Sequence, residues 1–349
     1  MKTCVIFNPA AKGNKARRFL AQLDAFGAAT TLKKTTGPQD ARRLAAEAVT
    51  EGFENIVATG GDGTVNEVIN GIADAGAFDR VRLGVLPLGT VNVFARELKI
   101  PLNVAGAWEL IQHGNETKID LGWADFSVNG HQSTPSPRPS GERDGVRGNE
   151  LETKSLLTPA LSSFGGEGEK NGHTSTSARS QRRYFAQLAG AGIDARAIEL
   201  VDWQHKKAVG PLAYIIAGLR ALATRQPGIT VEADGKKTSG ELALIGNGRF
   251  YGGSFAIFPG ADLRDGLLEV CLFPRVNLWQ IARCCVPMLF TGRLPEGAVR
   301  RVRAAQFTMT AAAADADSKP VSVEMDGEWI APTPATFGVT REKLRVIVP

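Results

Sequence analysis

Asn55-Ile56-Val57-Ala58-Thr59-Gly60-Gly61-Asp62-Gly63-Thr64-Val65-Asn66-Glu67-Val68 is the stretch on which the reading of this chain turns. A short apolar run with the look of a buried strand, Asn55 to Thr59, enters a cluster of glycines around one aspartate, and a helical pattern from about Val65 to Ala73 leaves it. Glycines between a strand and a helix allow positive φ and let a polyphosphate approach the backbone, while the free amides that open the helix attract its oxygens. Gly60, Gly61, Gly63 and Thr64 are therefore phosphate-binding candidates. Asp62, set among those amides, could hold Mg2+ or accept a proton. A purely structural turn is the plainer alternative for the glycines alone.

Outward from this stretch, short strand-like runs alternate with helical ones, the α/β signature. Upstream lie a strand Cys4 to Phe7 and a helix Lys15 to Phe26 with Phe19, Leu20, Leu23 and Phe26 on one face. A strand Thr30 to Lys34 follows, then a helix Gln39 to Glu51 that begins near Pro38 and turns Ala41, Leu44, Ala45, Ala48 and Val49 inward. Downstream, strand Arg82 to Leu86 leads through Pro87-Leu88-Gly89-Thr90 into a helical segment that ends before Pro101. Residues 132–182 are dominated by Ser, Gly, Pro, Thr and charge, too little apolar surface to offset ordering entropy, so a disordered insertion is expected there. Beyond it strands predominate: Tyr184 to Leu188, Ile229 to Ala233, Glu241 to Asn247, Ser254 to Phe258, Leu267 to Phe273, Gln306 to Thr310, Val321 to Met325 and Leu344 to Val348, with one helix from Pro211 to Thr224. The expected organisation is an α/β domain over 1–122 with a C-terminal return over about 334–349, and an all-β antiparallel domain over 123–333.

Composition narrows the function classes. A chain of 349 residues with 43% hydrophobic content can fill two cores. No apolar run reaches the roughly 18 residues that span a bilayer, and Met1-Lys2-Thr3 leads straight into a strand, so a cytoplasmic protein is expected. Cys4, Cys271, Cys284 and Cys285 have no metal-ligand spacing and the four histidines form no zinc pattern, which favours oxygen ligands and magnesium. A net charge of +5 suits nucleic acid, anionic membranes or phosphorylated substrates alike.

The full wording Gly60-Gly61-Asp62-Gly63-Thr64-Val65-Asn66-Glu67-Val68 resembles the diacylglycerol kinase catalytic family, which includes sphingosine kinases and bacterial diacylglycerol kinase-like enzymes. Further blocks in the same order carry the resemblance: Asn8-Pro9, Pro87 to Ala95, Asp120-Leu121-Gly122, Gly210 to Tyr214, Leu263 to Leu267 and Asp326-Gly327-Glu328. It implies a three-layer N-terminal domain like those of NAD kinase and phosphofructokinase, a C-terminal β-sandwich, and an ATP site in the cleft between them. Asn8, Lys12, Gly13, Thr36, Glu67, Thr90 and Asn92 would border the nucleotide beside the glycine stretch, Lys206 would neutralise phosphate charge, and Asn247 would lie near the cleft. For the proton acceptor the resemblance leaves Asp265 and Asp62 open, with Asp265 favoured, and Glu328 matches an acid near phosphates and metal. Many bacterial members place an Asp where this chain has Val93; it joins two others around Mg2+, and here only Asp62 and Asp120 match.

The implied activity is ATP-dependent phosphorylation of diacylglycerol or a related lipid alcohol, sphingoid or isoprenoid included, with Mg2+. It implies transient contact with the inner face of an anionic membrane, no nucleic-acid partner, and a homodimer as one option for assembly. The segment Asn277 to Phe290, followed by Arg293, Arg300, Arg301 and Arg303, combines apolar and basic residues fit for such contact, although Pro287 is expected to interrupt a long helix. Competing readings are NAD kinase and a relative that binds lipid or nucleotide without turnover.

Overall fold

Five parallel strands with one antiparallel edge form the first sheet of the computed structural model, which describes residues 1–9, 19, 30–126, 181–192, 228–312 and 320–349. The order across the sheet is β2 (Thr30–Lys34), β1 (Thr3–Phe7), β3 (Asn55–Gly60), β4 (Arg82–Pro87), β20 (Leu344–Val348) and β5 (Asn115–Ile119). All residues of β3 are buried, as a parallel strand covered on both faces requires. The last strand of the chain thus sits inside the first sheet, parallel to β4 and antiparallel to β5.

Helices α1 (Asp40–Thr50), α2 (Asp62–Asp74), α3 (Val93–Glu97) and α4 (Val104–His113) surround this sheet. Helix α1 buries Ala41, Leu44, Ala45 and Ala48, the face read from its spacing, and Val49 is half-buried. Phe19 is helical and buried, its ring 5.0 Å from that of Phe7. The rest of the helix expected over Lys15 to Phe26 lies outside the described residues, as do Lys12, Gly13, Lys206, the helix expected over Pro211 to Thr224, and residues 127–180.

Two antiparallel six-stranded sheets make the second part. One runs β10 (Lys236–Gly240), β9 (Ile229–Ala233), β16 (Gln306–Ala311), β19 (Ala335–Val339), β6 (Gly122–Phe126), β7 (Gln181–Phe185). The other runs β15 (Arg300–Ala304), β14 (Leu268–Phe273), β11 (Leu242–Gly246), β8 (Leu188–Gly192), β17 (Ser322–Met325), β18 (Glu328–Pro332). Phe126, Phe185, Phe307 and Phe337 from the first share one core with Ile245, Val270, Leu272 and Val323 from the second, which is a β-sandwich. A short hairpin, β12 (Phe250–Tyr251) with β13 (Phe255–Ala256), and helix α5 (Leu278–Thr291) complete it. The α/β plus all-β class expected from the sequence is the one found.

Several boundaries differ from the sequence reading. Helix α2 begins at Asp62, so Asp62-Gly63-Thr64 is its first turn rather than a loop. The run Tyr184 to Leu188 is two strands separated at Ala186-Gln187, and only Phe255–Ala256 of the run Ser254 to Phe258 is strand. Gln181 and Arg182 pair with Phe126 and Asp125, so the expected insertion does not reach 182. Residues 335–339 pair with β6 and β16 in the sandwich, and the return to the first sheet starts only at Leu344. Helix α5 runs through Pro287, which costs it one amide donor and not its continuity.

Candidate active site

Two glycine turns meet where β3 and β4 end side by side, with Gly60 opposite Pro87. The Gly60 carbonyl accepts from the amides of Leu88 (2.8 Å) and Gly89 (3.1 Å), and this stitches one turn to the other. A Cβ on Gly89 would lie 2.6 Å from the Gly61 Cα, and one on Gly60 would lie 2.3 Å from Thr64 Oγ1. The glycines are required for close approach. The positive φ expected of them is absent: Gly61 has φ −95°, and Gly60, Gly63 and Gly89 are also outside the left-handed region. Because Gly61 has no side chain to cap α2, the first-turn amides of Asp62, Gly63 and Thr64 have no side-chain acceptor there. This is the donor arrangement that receives anionic oxygens.

Asp62 opens α2 and at the same time holds α3, its Oδ1 accepting from Phe94 N at 3.1 Å. Asn92 takes the left-handed conformation (φ 52°) before α3 and donates from Nδ2 to Gly89 O at 2.7 Å. Asn8 Nδ2 donates to Thr64 Oγ1 at 3.2 Å. Asn8, Gly60, Gly61, Asp62, Thr64 and Asn92 are therefore brought together, and Thr90 is exposed on the second turn. Thr36 belongs to a different local structure, since its amide and hydroxyl both donate to the Asp40 carboxylate at 2.8 and 3.0 Å. Glu67 is engaged as well: its two oxygens accept from Gln39 N and Ala41 N, both at 3.0 Å, and so cap α1.

The sandwich contributes the turn between β17 and β18, with Asp326 at φ 47° and Gly327 at φ 86°, a two-residue hairpin for which glycine is suited at the second place. Asp326 is half-buried and each of its oxygens accepts two donors. Asn66 Nδ2 and Ala186 N reach Oδ2, both at 2.8 Å, and Gln187 N (3.1 Å) and Leu188 N (3.0 Å) reach Oδ1. Burial pushes this carboxyl up against the pull of those bonds. Glu328, two residues on, is held at about 7 by burial first and by the charge of Glu67 second, with Arg183 opposing. Its Oε1 would be 3.5 Å from a Cβ on Gly63, so this acid overlooks the first turn of α2. Asp62 and Asp326 line one cavity of about 270 Å³ with Val91, Val93, Gln187, Leu188, Tyr251 and Glu324.

Asp265 and Asp120 are placed elsewhere. The Asp265 carboxylate accepts from Leu267 N (2.9 Å) and from Arg303 Nη2 (2.5 Å), and Asp265 does not line the cavity that holds Asp62. Asp120 is buried, one oxygen accepting from Gly266 N at 2.8 Å and the other 3.0 Å from Lys343 Nζ. A carboxylate already paired with an ammonium and an amide serves as an anchor for the 262–267 turn. Among the described residues no three His, Cys, Asp or Glu side chains form a group able to hold a metal ion. Of the expected metal pair Asp62 and Asp120, the oxygens of Asp120 are engaged by Gly266 N and Lys343 Nζ. The residues present fit a polyphosphate at the glycine turns better than a carboxylate-held metal.

Sequence reasoning overlooked the polar braces. Asn66 and Asn70 on the inner face of α2 both donate to Tyr184 O, at 3.0 and 2.9 Å. Buried Glu97 accepts from Arg249 N, Phe250 N and Gln187 Nε2. Asn247, expected near the cleft, is a further brace whose Nδ2 donates to Asp120 O and Ala186 O at 3.0 and 2.8 Å. Asparagines at core positions of a helix were the available signal, because a buried amide needs partners.

Glycine turns on a parallel sheet, an uncapped helix start and a β-sandwich turn that brings acids to it make a site for anionic oxygens on two joined folds. Residues 2–124 match the model described as the diacylglycerol kinase catalytic domain, and residues 187–348 match the YegS C-terminal NAD kinase beta sandwich-like domain. The chain thus carries a diacylglycerol kinase catalytic domain over residues 2–124. It is 26% identical over 353 residues to a diacylglycerol kinase of Bacillus subtilis (strain 168), covering 99% of this chain and 95% of the relative. It is 28% identical over 284 residues to a diacylglycerol kinase of Staphylococcus aureus (strain MRSA252), covering 79% and 72%. The crystal structure of a diacylglycerol kinase from Bacillus anthracis str. Sterne shares the fold, with a TM-score of 0.63 at 19% identity over 100% of this chain and 97% of that one.

Proposed function

We propose that this chain transfers the γ-phosphoryl group of ATP to the hydroxyl of diacylglycerol or a related lipid alcohol. The observation that carries the reading is the contact of the two glycine turns at an uncapped helix start, beside a cavity lined by Asp62 and Asp326. The triphosphate rests on the amides of Asp62, Gly63 and Thr64. The lipid hydroxyl oxygen forms a bond to the γ-phosphorus as the bridge from that phosphorus to the β-phosphate breaks, ADP leaves, and the hydroxyl proton passes to a carboxylate. We assign that proton to Asp62 in place of Asp265, because Asp62 lines the cavity with only its Oδ1 engaged among the described residues, by Phe94 N, whereas four N–H donors already fill both oxygens of Asp326. Glu328 faces the phosphate side. Mg2+ would supply the counter-charge of the triphosphate.

The test is incubation with labelled ATP and a total lipid extract, with mass identification of the product. Asp62→Asn is expected to lower turnover by about a hundred-fold or more, and Asp265→Asn by less than about ten-fold. The reverse order would return the proton to Asp265. The Asp265–Arg303 pair and the absence of a three-carboxylate group among the described residues favour one second reading, a relative that binds nucleotide without turnover. ATP binding with no phosphorylated lipid in any extract would establish it.

A further inference from the structure

Helix α5 leaves an apolar stripe in water. Val286 is 53% exposed and Phe290 85%, with Leu278, Trp279 and Leu289 between those values. The only other exposed large apolar side chains among the described residues are Met1 and Val91. The helix has a proper inner face: Cys284 is buried, Met288 packs on the sandwich, and Gln280 Nε2 donates to Ala298 O at 2.9 Å. Its outer face is therefore not a core face left uncovered by misalignment. Arg275, Arg283 and Arg293 are exposed around the stripe, and no Asp or Glu occurs from Pro274 to Pro295. The Arg283 guanidinium lies 5.5 Å from the centre of the Trp279 ring. Apolar and aromatic side chains flanked along the chain by arginines have the chemistry of a helix lying in a lipid interface.

Position supports the same partner. Gly292, which closes α5, accepts at its carbonyl from Ala256 N at 2.8 Å, and Ala256 pairs with Phe250 in the β12–β13 hairpin. The neighbouring Tyr251 lines the cavity that holds Asp62. The exposed stripe is thus joined to the cavity wall by one hairpin. We propose that α5 docks the enzyme on an anionic bilayer, with Trp279, Val286 and Phe290 among the acyl chains and Arg283 and Arg293 at the phosphates. The proposal rests on the lipid-kinase reading, which supplies the reason for a membrane contact. A second copy of the chain is the poorer occupant, since it would set arginines against arginines.

The experiment is co-sedimentation of the full chain with vesicles of phosphatidylcholine, alone or with roughly a third phosphatidylglycerol. Binding is expected to the anionic vesicles and to fall about ten-fold or more in Trp279→Ser/Phe290→Ser and in Arg283→Gln/Arg293→Gln. Unfolding midpoints and activity on a short-chain diacylglycerol dispersed as monomers should stay at parental values, since the four side chains are exposed. Unchanged vesicle binding in both variants overturns the proposal. So does a parent dimer that the apolar variant converts to monomers with no change in vesicle binding. If no lipid is phosphorylated in any form while vesicle binding still depends on these residues, the kinase reading fails and the docking surface stands.

Discussion

Glu328 carries the sharpest consequence of a single residue. Its carboxyl titrates at about 7 in the folded protein against an ordinary 4.5, because burial and Glu67 disfavour its charge. For an acid raised in this way, the folded state is favoured below pH 4.5 and loses that advantage as pH rises through about 7. The loss is on the order of 2 kcal/mol after allowance for partial exposure. Thermal unfolding followed between pH 5 and 8 should therefore show a falling midpoint that Glu328→Gln flattens. ATP binding should tighten as pH falls through the same range, since neutral Glu328 no longer repels phosphate, and the variant should lack this slope. Gly89→Ala tests the contact of the two turns. A methyl 2.6 Å from the Gly61 Cα forces the turns apart, and an expected loss of about 1–3 kcal/mol in stability should come with weakened nucleotide binding in titration calorimetry.

Between elements, Glu97 is the most consequential brace. At the end of α3 its carboxylate accepts from Arg249 N, Arg249 Nε, Phe250 N and Gln187 Nε2, and so ties a helix of the first sheet to three positions of the sandwich. Glu97→Ala takes the acceptor from the amides of exposed Arg249 and half-buried Phe250 and from Gln187 Nε2, and should cost about 1–3 kcal/mol in chemical denaturation, with most of that loss retained in Glu97→Leu. Elements of strong local pattern were legible beforehand. Thr30–Lys34, Ile229–Ala233 and Leu344–Val348 match to the residue, and the buried face of α1 follows from its spacing. The strands that escaped notice, such as Asn115–Ile119, Lys236–Gly240 and Arg300–Ala304, are largely polar with exposed residues, and they lie at or near sheet edges where little burial is demanded.

For the whole molecule, the pairing of β6 with β7 sets a simple experiment. Phe126 stands opposite Gln181 in antiparallel register, so the two strands are positioned to be joined by a tight turn. Replacement of residues 127–180 by Asn-Gly should leave a cooperatively folding protein with lipid phosphorylation within about two-fold of the parent, as checked by calorimetry and turnover. A broad, non-cooperative transition would mean that this register depends on the replaced residues. The central place of β20 predicts the opposite for its removal. A chain ending at Glu342 would open the first sheet between β4 and β5, expose the buried Leu344, Val346 and Ile347 partners, and fail to fold.

The strand, glycine turn and helix around residue 60 are determined by the sequence alone, because buried runs, helical spacing and glycine are properties of neighbours in the chain. The α/β plus β-sandwich class follows from the same local signals. Which acid faces the turn is decided only in three dimensions. Asp265 and Asp326 both stand beside glycine at a turn, yet packing pairs the first with Arg303 and binds the second to Asn66, a residue 260 positions away in the chain. Local pattern reports which residues are able to turn or bury. The burial and charge that give a carboxyl its proton affinity come from groups that meet only when the sheets close.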